Sequence, residues 1–80
     1  MKILIKVNNG SAAVANIEWS REIEDIISLD EVKGIFGTFY QGARVAGMSL
    51  KDAVKLAGRD TNDAIYEALN SHDDNLIIGY

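Results

Sequence analysis

The first residues alternate. In Lys2-Ile3-Leu4-Ile5-Lys6-Val7-Asn8, Ile3, Ile5 and Val7 fall on one face and Lys2, Leu4 and Lys6 on the other, a period of two that predicts a strand over 2–8. Asn9-Gly10 follows, a pair that accepts positive φ and signals a hairpin. Residues 12–19 read as the return strand, with Ala13, Ala15, Ile17 and Trp19 apolar and Asn16 and Glu18 facing water. Its alanines are weak strand formers.

From Ser20 the period lengthens. Ser20 can cap a short helix carrying Ile23, Ile26 and Ile27. Ser28-Leu29-Asp30-Glu31 is a capping box, with Ile27 and Val32 at the staple positions around it. It opens a helix expected over 29–46, whose stripe is Val32, Ile35, Phe36, Phe39, Ala43 and Ala46. Gly47 can end it in the left-handed conformation. Ser49 caps a third helix, with Leu50, Ala53, Val54 and Ala57 inward, expected to stop at Gly58. Asp60 or Thr61 is positioned to cap a fourth, with Ala64, Ile65, Ala68 and Leu69 inward. Residues 71–75 read as a polar loop and 76–80, Leu-Ile-Ile-Gly-Tyr, as a closing strand.

The predicted order is therefore β-β-α-α-α-α-β. A hairpin cannot bury a face alone. An α+β fold resolves this: the N-terminal hairpin and the C-terminal strand form a three-stranded sheet, packed on one face by about four helices. The length of 80 residues fits one domain, 1–80; a chain this short buries roughly 60–65% of its unfolded surface, enough for one core.

Composition narrows the chemistry. Without cysteine there is neither a disulfide framework nor a thiolate zinc site, which favours a cytoplasmic setting. Lys6 interrupts the N-terminal apolar run, and no stretch approaches the ~18 residues of a membrane span. The net charge of −4 argues against general affinity for nucleic acid or anionic membrane.

Charge is unevenly distributed. Of twelve acids, all but Asp52 fall in two blocks, residues 18–31 and 60–74, while Lys33, Arg44, Lys51, Lys55 and Arg59 lie between. Helix dipoles account for part of this, since Glu22, Glu24, Asp30, Glu31 and Asp63 sit in N-terminal turns. The remainder suggests an acidic helical surface that docks on a basic protein surface, one that itself holds nucleic acid. Glu22, Asp25, Asp63 and Glu67 are the expected charge contacts and Tyr40, beside Arg44, the apolar anchor. The long helix also has a nearly bare side at Gly34, Gly37, Thr38, Gln41 and Val45, suited to close packing within the domain or to a partner. That side, or the last strand's edge, could form a homodimer.

Residues 49–70 loosely resemble a helix-turn-helix, which implies a DNA-binding regulator as the alternative. The second helix would present Asp60, Asp63 and Glu67 to phosphate, and only Thr61, Asn62 and Asn70 suit base contact. His72-Asp73-Asp74 lacks a second histidine and metal-ligand spacing, and no phosphate loop, nucleophile or acid–base pair is set up. The expected function is thus a small acidic protein-binding module without cofactor or catalysis. Its size and charge are those of inhibitors and antagonists encoded by phages and mobile elements.

Overall fold

The structure, a computed structural model, describes residues 1–7 and 10–78, with side chains described as far as residue 70. It is an α+β arrangement of β1 (Lys2–Lys6), β2 (Ala12–Asn16), α1 (Arg21–Ile26), α2 (Leu29–Val45) and α3 (Leu50–Ile78).

β1 and β2 pair antiparallel with Ile3 opposite Ala15 and Ile5 opposite Ala13. This register puts the predicted apolar residues of both strands on one face. Gly10 closes the hairpin at φ +88°, donating its N–H to Val7 O at 3.0 Å, while Val7 N–H donates to Ser11 O at 3.0 Å. Asn9, expected to share the turn, lies outside the described residues. Beyond the strands, Met1 and Ile17 exchange backbone hydrogen bonds of 2.9 and 2.7 Å.

The helix starts are where the serines place them. Ser20 Oγ accepts from Ile23 N–H, Ser28 Oγ from Glu31 N–H and Ser49 Oγ from Asp52 N–H, at 3.3, 3.1 and 3.2 Å. Each such cap contributes about 1 kcal/mol. α2 ends as Gly47 requires: at φ +95° it donates to Arg44 O, and Met48 N–H reaches back to Ala43 O. These are the paired bonds of a Schellman motif.

Two expectations fail. The helices predicted to either side of Gly58 are a single helix, α3. Thr61 does not cap; its Oγ1 donates to Ala57 O at 2.6 Å within the helix, and its side chain is buried. The stripe Val54, Ala57, Thr61 and Ile65 continues through Gly58 without a change of phase, and all four residues are buried. Burying an aliphatic side chain such as Val54 or Ile65 is worth about 1.5–3 kcal/mol, more than the ~1 kcal/mol lost to a helical glycine. The third strand is also absent among the described residues, which hold a two-stranded sheet. Residues 71–75, expected as a loop, and 76–78, expected as strand, extend α3 instead. No glycine or proline interrupts the chain between Gly58 and Gly79. Residues 79 and 80 lie outside the described residues.

One core joins the layers. Ala15 and Ile17 from the β2 arm, Ile23 and Ile27 around α1, Val32 and Phe36 from α2, and Val54, Ala57 and Ile65 from α3 form a single buried cluster. Ile27 and Val32 are the staple pair expected around Ser28. Along α2 the buried residues are Val32, Phe36 and Ala43; Phe39 and Ala46, expected inside, are exposed.

The glycines divide into two kinds. A Cβ built on Gly34, Gly37 or Gly42 meets nothing within 4 Å, so these positions on α2 are open among the described residues. A Cβ on Gly58 would lie 2.9 Å from Ala15 Cβ. Gly34→Ala and Gly42→Ala are therefore each expected to stabilise the fold by about 0.5–1 kcal/mol in urea denaturation. Gly58→Leu should cost about 1–3 kcal/mol, because β2 would have to lift from α3.

Candidate functional site

The predicted contact residues lie on three helices, α1, α2 and α3. Glu22 and Asp25 are exposed on α1, whose Ile23 is buried in the core shared with Ile65. Asp63 and Glu67 are exposed one turn apart on α3. Asp63 stands about 200° around the helix from both Thr61 and Ile65, the residues that α3 turns into the core. α1 packs against α3 with its Ile23 side in the core, and Asp63 and Glu67 continue along α3 the four-residue steps of Lys51, Lys55 and Arg59. Tyr40 is not a free anchor. It is half-buried against the core, stacked on Phe36 with ring centroids 6.3 Å apart and planes at 5°. The exposed aromatic ring beside it is Phe39.

The helix-turn-helix expectation also loses its geometry, since no turn separates 49–57 from 60–70. Among the described residues no cluster of three or more His, Asp or Glu could hold a metal ion. The side chains of His72, Asp73 and Asp74 lie outside those described.

What the fold does assemble is a groove of about 500 Å³ between β2 and α3. One wall is the strand Ala12–Asn16; the other is Lys51, Lys55, Gly58, Arg59 and Asn62. Its geometry follows from the hairpin. The backbone bonds at Met1/Ile17 and Val7/Ser11 fix the hydrogen-bonded pairs, and alternation makes Ile3/Ala15 and Ile5/Ala13 bonded as well. The N–H and C=O groups of Ala12, Val14 and Asn16 must then point away from β1, toward the groove.

Asn62 reaches this outer edge from α3. Its Nδ2 donates to Asn16 O at 3.2 Å, and its Oδ1 accepts from Glu18 N–H at 2.9 Å. One side-chain amide thus donates and accepts as a neighbouring strand's peptide group would. Past that rung, toward Ala12, the edge is open. Ala15 lies over Gly58 and Asn16 beside Asn62, so β2 runs along α3 with its Ala12 end nearest Lys51.

The basic side chains along this flank are exposed, and few are paired. The ion pair among the described residues is Arg59 Nε to its neighbour Asp60 at 3.7 Å, with Arg59 71% exposed. Such a pair is worth at most about 1 kcal/mol. Lys51 and Lys55 remain available.

The sequence shows Lys51, Lys55 and Arg59 only as a basic stretch between acidic blocks and does not show the strand edge beside them. A signal was present: an alanine-rich strand and a lone mid-helix glycine are the small partners that a close strand–helix approach needs. No protein-family model matches the chain, and neither a curated protein nor a solved structure matches it.

No helix among the described residues is long and apolar enough to cross a membrane.

Asn62→Ala removes both edge bonds and is expected to cost about 1–2 kcal/mol in urea denaturation. Asn62→Asp should cost at least as much, since a carboxylate can no longer donate to Asn16 O. An unchanged midpoint in both variants would show that the amide does not tie the strand to α3.

Proposed function

We propose that this chain is a small, non-enzymatic protein-binding module that receives an extended segment of its partner along the free edge of β2. The observation that carries the reading is the outward row of backbone groups at Ala12, Val14 and Asn16, left open beside α3 and already bonded at one end by Asn62. Strand addition supplies affinity through main-chain bonds and takes its specificity from the neighbouring wall.

This reading differs from docking by one acidic face. Glu22 with Asp25 on α1 and Asp63 with Glu67 on α3 are exposed pairs, and each is tested by itself as a contact. Antagonism remains one use of such a module, in which the segment it captures is one the partner needs elsewhere. Regulation of DNA has weaker support, because Lys51, Lys55 and Arg59 supply phosphate contacts without a helix set to read bases.

Selection from a random peptide library on the isotope-labelled protein tests the reading. Selected peptides should shift the backbone amides of Ala12–Asn16 and of Lys51–Asn62. Reversal of Glu22 and Asp25 should leave their affinity within about twofold at physiological salt, and reversal of Asp63, one turn beyond Arg59 on α3, should not weaken it. Peptides that shift α1 or the Asp63–Glu67 side instead, and that are lost on charge reversal there, would restore acidic docking and sink the strand-addition reading.

A further inference from the structure

We propose that the segment taken by the β2–α3 groove is acidic on alternate residues, a partner strand whose carboxylates meet Lys51, Lys55 and Arg59. The proposal rests on the strand-addition reading and adds the chemistry of the occupant.

Spacing carries it first. Lys51, Lys55 and Arg59 follow one another at four-residue steps on α3 and line the same wall of the groove. Four residues of α-helix rise about 6 Å. Two residues of a β-strand rise about 6.6–6.8 Å. A strand laid on the outer edge of β2 runs along α3, as β2 does. Its side chains at i, i+2 and i+4 then fall over the three basic positions nearly in step, while those between turn to solvent. A helix or an irregular loop would not keep that match.

Charge is the second argument. Lys51 and Lys55 have no ion pair among the described residues, and Arg59 has only its exposed neighbour Asp60. The chain as a whole carries −4, so it repels an acidic ligand at long range. Attraction must therefore be local to this wall, which favours a few carboxylates placed in register over a polyanion in general.

The choice of edge is the third. β1's outer edge carries Lys2, Leu4 and Lys6, and lysines on an edge discourage pairing. β2's outer edge carries Ala12, Val14 and Asn16, with no charge and little bulk. Asn62 holds the far end of that edge, so the main-chain ladder is limited to the Ala12–Val14 portion while the segment itself continues along the basic wall. This short ladder suits a transient complex.

The test uses blocked hexapeptides on the intact protein at low and moderate salt, read by amide chemical shifts and affinity. One alternates Glu and Val, one alternates Gln and Val, and one places its three Glu before its three Val. The alternating Glu peptide should shift Ala12–Asn16 and bind about tenfold more tightly than the Gln peptide at low salt, a gap of about 1.4 kcal/mol that shrinks as salt rises. The block isomer should bind more weakly than the alternating one. Lys51→Glu with Lys55→Glu should erase the preference; Lys51→Gln with Lys55→Gln should reduce it without placing new acids on α3.

Equal binding of the Glu and Gln peptides at β2 would overturn the acidic partner and leave strand addition standing. Failure of every peptide to shift Ala12–Asn16 would overturn both. Salt-sensitive shifts at Lys51, Lys55 and Arg59 with a random DNA duplex, and none with peptide, would assign the flank to phosphate and overturn the proposal.

Discussion

The close approach of β2 to α3 is the constraint on which the rest depends. Ala15 can lie on the helix because position 58 has no side chain; a Cβ there would come within 2.9 Å of Ala15's own. A two-stranded sheet has little surface to bury and is marginal alone. Here its inner face gains a helix beneath it, and Ala15 and Ile17 join Val54, Ala57 and Ile65 in one core. The same contact determines what stays outside. With β2 laid along α3, the outer edge of the strand and one flank of the helix become the two walls of a groove. A bulkier strand or a β-carbon at 58 would separate those walls or tilt them apart.

Much of this was legible from local signals. The strands' faces and the serine caps follow from short-range rules, although β2 ends at Asn16, short of the expected residue 19. Gly47 and Gly58 show where such rules divide. Both are single glycines at the end of an apolar helical stretch, and both invite a stop. At Gly47 the phase of the stripe is lost afterwards and the chain turns at φ +95°. At Gly58 the phase continues into Thr61 and Ile65, so breaking the helix would strand two buried residues. Periodicity across a glycine is thus better evidence than the glycine. Phe39 and Tyr40 show the limit of that rule: both lie within about 60° of the stripe Val32, Phe36 and Ala43, and packing half-buries Tyr40 while leaving Phe39 38% exposed.

The site was harder to find because its two halves are far apart in sequence and one is made of backbone. Charge counting finds Lys51, Lys55 and Arg59 readily, but it cannot see the outward N–H and C=O groups of Ala12 and Val14. Those exist as a site only once the register with β1 is known. The acids divide between α1, which carries Glu22 and Asp25, and α3, where Asp63 and Glu67 follow Arg59 at four-residue steps. Sequence blocks of like charge become a surface only if the chain returns them to one side.

The central claim is structural: α3 is continuous through Gly58 and β2 lies on it there. Nuclear Overhauser contacts test it most directly. The account predicts a strong contact between the Ala15 methyl and the Gly58 α-protons, with unbroken helical i to i+3 contacts from Ala57 to Thr61. Loss of the Ala15–Gly58 contact, together with a break in the helical series between Gly58 and Thr61, would contradict it and return the chain to a helical hairpin.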